Sequence, residues 1–293
     1  MASHRTMVNA AWSLQRADHG EQAHWAMIAL AAALGQIGLP GGGFGLGYGA
    51  VGSVGNGVPR VRLPRIGRPP NPVDAFIPVA RIADMLLHPG APFTYDGSVH
   101  RYPDIRLVYW AGGNPFHHHQ DLNRLARAWR TPETVVVHEP FWNPLARRAD
   151  VVLPVTTPLE REDIGGGSPD DHLFWMPRLI DPVGEARDDY EVFAALAKRL
   201  GFEARFTEGR TAAEWVRELY EEYRRTVRSA PDWDAFREAG HTRHPEDPSR
   251  PSRLVLLDGF RTDPSLHALP TPSGRIELWS ERIASFGLPD CPP

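Results

Sequence analysis

Asn114, His118, His138 and Glu139 stand just beyond two apolar runs, at 105–110 and 134–137. Side chains of these types can hydrogen-bond a phosphate, a sugar hydroxyl or a base edge. The first run stops at Gly112-Gly113-Asn114-Pro115 and passes into a helical pattern, and the second stops at His138-Glu139-Pro140. Strand, glycine turn, helix and strand make a βαβ unit. Ligands of open α/β sheets bind outside the carboxyl ends of the strands. The four residues are therefore expected to line one crevice that takes a nucleotide-like ligand.

Three consecutive histidines, His117-His118-His119, raise the question of a metal. Consecutive helical residues point about 100° apart, so one or two at most can face one ion, and no Cys or further His lies at zinc-like spacing. A hydrogen bond from a histidine to a phosphate or ribose at a helix start fits better, because backbone N–H groups there attract anions. Plain surface histidines are the alternative. Arg16, in Trp12-Ser13-Leu14-Gln15-Arg16, and Arg161, in Leu159-Glu160-Arg161-Glu162-Asp163, each offer a planar fork for a phosphate or a carbonyl-rich ring. Taken alone, an arginine of this kind is more often a surface or core-edge residue. Asp189 precedes Tyr190 at a helix start and is either an N-cap or a carboxylate accepting from a guanine-type pair of N–H groups. Gly47 to Gly52 spell G-x-G-x-x-G, but more Gly and a Pro follow, so the dinucleotide fingerprint lacks its helix. That stretch is a solvent loop or a loop that lets a bulky cofactor approach the backbone. No Walker A sequence occurs.

Elements must hold these residues in place. The pattern predicts strands at 105–110, 134–137 and 149–153, and an Ala-rich, mostly buried helix at 18–34 ended by Gly35, Gly38 and Pro40. A glycine-rich stretch at 38–57 and a proline-rich one at 59–78 are expected to be irregular and poorly packed. A short helix at 79–87, a polar loop at 156–172 and an amphipathic helix at 190–200 with a basic last turn follow. Charged helices at 211–225 and around 232–238 lead to β-like pieces at 253–257 and 275–279.

The chain has 293 residues, 42% of them hydrophobic, with nine Trp, enough for a sizeable core. A net charge of −4 and the lack of a basic stripe argue against a nucleic-acid partner. The single cysteine, Cys291, excludes a disulfide framework and a cysteine-based metal or iron–sulfur site. No apolar run reaches the roughly 18 residues of a membrane span, and no signal core or twin-arginine pair is visible, so the sequence assigns no compartment.

Taken together, the blocks WSLQRADHGEQ (12–22), LGQIGLPGGGFG (34–45), IPVARIADML (77–86), GGNPFHHHQDLNRL (112–125), HEPFWNPLARRADVVLPVTTPLEREDIG (138–165), GEARDDYEVF (184–193) and PTPSGRIEL (270–278) resemble the molybdopterin oxidoreductase superfamily. They are most similar to its dimethyl sulfoxide, trimethylamine N-oxide and biotin sulfoxide reductase branch. The order is preserved over nearly the whole chain. The resemblance implies α/β, Rossmann-like parallel-sheet layers with a mainly helical C-terminal part and an incomplete domain set. It implies a molybdenum bis(molybdopterin guanine dinucleotide) cofactor, with its nucleotide-binding region at 1–205 and a helical segment and linker at 206–293.

Carried over position by position, the family's cofactor contacts fall on Trp12, Ser13, Arg16, Asn114, His118, His138, Glu139, Arg161 and Asp189. With this support Asp189 reads as the guanine acceptor. Glu162 departs from the family's asparagine at that place. The branch's molybdenum-ligating serine belongs well before the Trp12 block and has no counterpart here, and the closing domain should follow the block at 270–278. The chain is thus expected to be a fragment of a molybdenum oxotransferase, inactive alone, with no catalytic or metal-ligating residue of its own. The full enzyme would take an S-oxide or N-oxide and an electron-donor protein. The alternative is a stand-alone α/β nucleotide-binding module without catalysis.

Overall fold

The computed structural model describes residues 1–46, 55–56, 63–67, 70–167, 171–245 and 253–293. The chain divides into two compact units, Met1–Arg60 with Ser168–Asp170 and Glu246–Pro293, and Val61–Gly167 with Asp171–Pro245. This differs from the expected boundary at 205/206. Tyr220, Tyr223 and Phe236 bury themselves against Leu173 and Trp175, which ties residues 206–245 into the second unit.

The first unit opens with β1 (Met7–Ala10), a 3-10 turn (Trp12–Arg16), α1 (Glu21–Ala33) and β2 (Gly43–Leu46). β1 and β2 pair in parallel from Met7↔Gly43 to Ala10↔Leu46, so this too is a βαβ unit. The buried Gln36 holds its base: Oε1 accepts from Thr6 N and Nε2 donates to His4 O, both at 2.7 Å. Gly38 has φ +81°, and a Cβ there would stand 2.5 Å from Arg261 Cβ. Only glycine fits that place. Helix α1 has Met27 and Ala31 as its buried residues, fewer than expected for 18–34. A short β3 (Gly55–Asn56) follows. Of the glycine-rich stretch, 43–46 and 55–56 are strands, whereas the G-x-G-x-x-G at 47–52 lies outside the described residues. Of the proline-rich stretch, 63–67 and 70–78 carry no regular structure.

In the second unit a 3-10 turn (Val79–Arg81) leads into α2 (Ile82–Leu87). A hairpin of β4 (Pro92–Tyr95) and β5 (Ser98–Arg101) turns at Asp96 and Gly97, both with positive φ. This matches the Asp-Gly chemistry of a tight hairpin turn. Then come β6 (Leu107–Ala111), α3 (Pro115–His118), α4 (Leu122–Ala128), β7 (Thr134–His138) and β8 (Val151–Leu153). The three strands form a parallel sheet in the order β6-β7-β8. Strand side chains alternate with period two. Val108, Trp110, Val135, Val137 and Val152 pack with Leu86, Phe116, Leu125 and Trp129 on one face, and Tyr109, Val136, His138 and Leu153 therefore take the other.

The single helix expected after Pro115 is broken. α3 stops at His118, and α4 restarts from Asp121, whose backbone is left-handed (φ 43°) and whose side chain caps Arg124 N at 3.0 Å.

Beyond β8 lie β9 (Asp163–Gly165), β10 (His172–Met176), α5 (Asp189–Arg199), α6 (Glu203–Thr207), α7 (Ala212–Thr226), α8 (Trp233–Ala239) and β11 (His241–Arg243). β9, β10 and β11 form an antiparallel sheet in the order β11-β10-β9. The stretch at 156–172, expected to be a polar loop, thus contains a strand and the start of another. α7 begins with a capping box between Thr211 and Glu214. It lays Tyr220 and Tyr223 on the sheet, with Tyr220 stacked on Phe236 at 4.1 Å.

The chain then returns to the first unit with β12 (Arg253–Leu254), which pairs with β3, and with α9 (Asp258–Thr262) and α10 (Glu281–Phe286). The stretch at 275–279, expected as β-like, is irregular. Residues 206–293 carry α7 to α10 together with β11 and β12, so strands interrupt the helical part that was expected. Among the described residues no helix is long and apolar enough to cross a membrane.

Leu125 is fully buried between α4 and the parallel sheet. Leu125→Ala should lower the unfolding free energy by about 2–5 kcal/mol in urea denaturation, the range for a large-to-small change that leaves a cavity. A loss near zero would show that the sheet does not depend on α4.

Candidate functional site

Parallel pairing brings Ala111 of β6 level with His138 of β7, and His138 level with Leu153 of β8. Asn114 and His138–Glu139 thus follow the carboxyl ends of adjacent strands. Asn114 is buried and caps α3: its Oδ1 accepts from Phe116 N at 3.0 Å, while Pro115 supplies the first helical residue. Gly112 and Gly113 before it have φ +84° and +75°. The Asn114 Nδ2 group is buried and has no hydrogen-bond partner among the described residues, and a buried donor left unpaired is costly.

His118 is exposed and closes the four-residue α3 instead of opening a longer helix. Glu139 is half-buried, and its Oε1 accepts from Phe141 N at 3.3 Å.

His138 departs from the expected common crevice. Its side chain is 1% exposed and lies on the sheet face opposite the α4 core. There its ring stacks on Phe193 of α5 at 4.8 Å. His138 Nδ1 lies 2.6 Å from Asp189 Oδ1, and Nε2 lies 2.7 Å from the Tyr109 hydroxyl. An ionised carboxylate can only accept, so Nδ1 carries the proton toward Asp189 and Nε2 accepts from Tyr109. Burial, and secondarily the Asp189 charge, raises the Tyr109 pKa above its ordinary value, which keeps the phenol protonated and able to donate. Among the described residues no hydrogen bond joins Asn114 or His118 to His138 or Glu139. Buried on that face, the His138 side chain does not line an open crevice with the other three.

Asp189 opens α5, and its side chain is 49% exposed. It is not the N-cap. That position belongs to Asp188, whose side chain makes no cap bond and instead accepts from Thr156 Oγ1 at 2.6 Å. The segment before α5 is also bound to the strand end by a parallel bridge, Val155↔Arg187, flanked by Thr156 N→Arg187 O and Arg187 N→Pro154 O. This seats the first turn of α5 at the carboxyl end of the parallel sheet.

Arg161 lies in the loop between β8 and β9. Its Nη1 donates to Thr156 O at 3.3 Å and its Nε faces Asp163 Oδ2 at 3.4 Å. The residue borders a cleft of about 450 Å³, together with Arg178, Arg187, Asp188 and the start of α7 at Thr211. Beside it Glu160 is buried. Its Oε2 accepts from Thr157 N and Oγ1, and its Oε1 accepts from Val183 N, all at 2.7 Å. The Thr157 bonds first, then the Val183 bond, hold its carboxyl below the usual glutamate range against the opposing effect of burial.

Trp12, Ser13 and Arg16 belong to the first unit. They form the exposed 3-10 turn that leaves the carboxyl end of β1, with Trp12 half exposed.

These features define a mixed helix–strand protein whose short parallel sheets collect polar side chains beyond their carboxyl ends. Residues 1–199 match the family model described as molybdopterin oxidoreductase. This chain belongs to the molybdopterin oxidoreductase family.

The chain is 49% identical to a biotin sulfoxide reductase of Cereibacter sphaeroides, over 99% of this chain and 39% of that protein. It is 43% identical to a dimethyl sulfoxide/trimethylamine N-oxide reductase of Rhodobacter capsulatus, over 99% of this chain and 37% of that one. It is also 42% identical to a trimethylamine-N-oxide reductase of Haemophilus influenzae, over 99% and 37%. The chain thus spans well under half the length of these curated relatives.

Sequence reasoning missed Tyr109, Thr156, Glu160 and Asp188, which set the site's geometry without being its exposed groups. Thr157-x-x-Glu160 carries the spacing of a capping box with no helical pattern after it, and that was the available signal. Glu160 yields a pH prediction. A depressed folded-state pKa contributes stability that is fully present above the ordinary glutamate value of 4.5 and is lost as pH falls through the lower folded value. Wild type should therefore exceed Glu160→Gln in unfolding free energy by a constant margin near neutrality, shrinking below that value. Parallel pH profiles for the two proteins would contradict the role given to Glu160.

Proposed function

We propose that this chain is part of a molybdenum oxotransferase of the S-oxide or N-oxide reductase kind. In this reading it holds guanine dinucleotide portions of a bis(molybdopterin guanine dinucleotide) cofactor. The cofactor, when bound, supplies two-electron transfer of an oxygen atom from an S-oxide or N-oxide, with electrons delivered by a separate donor protein. The relatives' names support the substrate class.

The observation that carries the nucleotide assignment is the half-exposed Asp189 carboxylate, held from behind by buried His138. One oxygen accepts from His138 and keeps a second lone pair, and the other oxygen makes no hydrogen bond among the described residues. A carboxylate so held can accept from the N1–H and N2–H₂ groups of guanine, a pair that adenine does not present on that edge. Its place at the start of α5 also favours negative charge through the helix dipole.

The remaining residues fit the group in kind. Asn114 Nδ2 is a buried donor in want of an acceptor, and nucleotides are rich in acceptors. Arg161 presents a guanidinium, whose fork suits a phosphate, beside a cleft bordered by Arg178 and Arg187 as well as by Glu160, Glu162, Asp188 and Glu191. His118 and Glu139, exposed and half-buried beyond the strand ends, are available to sugar hydroxyls or base edges. In the first unit Trp12, Ser13 and Arg16 are assigned by their match to the family block. His138 serves by fixing Asp189. None of these residues is assigned a role as acid, base or nucleophile, so their work is binding and orientation.

The test is to express the chain in a host that makes the cofactor and to measure molybdenum and guanine released per protein. Asp189→Ala should weaken retention by roughly 5- to 150-fold, the equivalent of about 1–3 kcal/mol for a lost buried hydrogen-bonding group. Asp189→Asn should do nearly as much harm, because its NH₂ group would face the guanine donors. Full loading in both variants removes guanine recognition from Asp189. Guanine nucleotide without molybdenum in the wild type would favour a stand-alone nucleotide-binding module.

A further inference from the structure

Against the sequence expectation that a single cysteine excludes a cysteine-based metal site, the fold of the first unit sets Cys291 against residues 270 positions away. His19, Glu21 and Cys291 each direct one ligand-type atom at a common point, all within 4.8 Å of one another. His19 Nδ1 lies 3.5 Å from Glu21 Oε1, and Cys291 Sγ lies 3.9 Å from the same oxygen. A tetrahedral zinc site with Zn–S near 2.3 Å and Zn–N or Zn–O near 2.1 Å has ligand–ligand edges of about 3.4–3.6 Å. Two of the three edges are thus within a few tenths of an ångström of the coordinated geometry.

Two outer contacts point the same way. The other ring nitrogen of His19, Nε2, faces Asp290 Oδ1 at 3.3 Å. A carboxylate on the second nitrogen is the arrangement that orients a ligating imidazole and makes it more basic. Gln22 Nε2 donates to Cys291 Sγ at 3.3 Å and to Pro292 O at 2.9 Å, so the buried sulfur already has a polar neighbour that fixes its direction. His19 holds a left-handed backbone, φ 47°, unusual for a residue other than glycine. That conformation places its ring between Glu21 and Asp290.

Charge supplies the reason for a cation. Asp18, Glu21 and Asp290 all lie within 4.0 Å of the His19 ring nitrogens. Three carboxylates around one imidazole leave a negative surplus that a single proton does not cancel.

We propose that His19 Nδ1, Glu21 and Cys291 form a binding site for a borderline-soft divalent cation of the zinc class, with Asp290 orienting the imidazole from outside. The ligand set of one nitrogen, one sulfur and one oxygen suits zinc and its spectroscopic surrogate cobalt, and not magnesium or calcium, which prefer all-oxygen sites. The site uses none of the residues assigned to the nucleotide, although His19 follows Arg16 by three positions. It joins the start of α1 to the segment after α10, so its occupancy would brace the first unit.

The experiment is a titration of the purified, metal-stripped full chain with Co²⁺, followed by competition with Zn²⁺. We expect one Co²⁺ per chain with a thiolate-to-cobalt charge-transfer band, displaced by Zn²⁺. Cys291→Ser should abolish the band. Asp290→Asn, an exposed change outside the ligand set, should keep the band but weaken Co²⁺ binding by about 10- to 100-fold, the usual effect of removing such an outer partner. The circular dichroism of Asp290→Asn should match wild type, which separates lost affinity from lost fold. Absence of a thiolate band, or affinity unmoved by Asp290→Asn, would overturn the proposal.

Discussion

A buried imidazole between a sheet and a helix needs both of its nitrogens satisfied, and the way His138 meets that need organises the second unit. A polar group in such a place, left without a partner, costs about 1–3 kcal/mol. Tyr109 donates from the neighbouring strand, and Asp189 accepts from the first residue of α5. The apolar side chains on this face, Val136, Leu153, Val192, Ala195 and Leu196, line a cleft of about 480 Å³ beneath α5 instead of closing it. Apolar packing alone therefore does not fix the start of the helix. The Tyr109–His138–Asp189 chain and the Phe193 stack do so, and they set the direction of the Asp189 carboxylate at the same time.

A second polar tether acts on the same turn from the other side. Thr156, just past β8, binds Asp188 through its hydroxyl and Arg187 through its backbone N–H. Glu160 gathers Thr157 and Val183 into one turn, so the loop carrying Arg161 and the segment entering α5 are held by one carboxylate. Successive residues, Asp188 and Asp189, thus face opposite partners, one to the loop after β8 and one to β7. The neighbouring carboxylates cannot exchange roles without turning the helix by about 100°.

What the sequence made legible was local. β6 and β7 were readable to within a few residues because unbroken β-branched and aromatic runs stand there, closed soon after by glycine or proline. α7 was readable as a charged helix at 211–225, whose start the capping box of Thr211 and Glu214 fixes. Strands stabilised by distant partners left no such mark. Met7–Ala10 and Gly43–Leu46 pair with each other across α1, and His241–Arg243 completes a sheet with His172–Met176. Short segments of this kind are stable only once the fold supplies the partner. The same dependence explains why 275–279, with strand-like composition, remains irregular.

The site was readable by residue type and less so by direction. A run of strand-end polar residues suggested a shared crevice, but a strand turns successive side chains to opposite faces. His138 is in register with Ala111, and its side chain falls on the Tyr109 face. Asn114 follows Trp110 through two left-handed glycines, and the helix it caps packs Phe116 onto the α4 face. The division has a chemical consequence. The end of β6 offers a buried donor that lacks an acceptor, Asn114 Nδ2, and the start of α5 offers an acceptor whose outward oxygen lacks a donor, Asp189. Among the described residues no hydrogen bond joins Asn114 to Asp189, whose Oδ1 atoms accept from Phe116 N and His138. A guest carrying both acceptors and paired donors would meet both, as the proposed guanine nucleotide would.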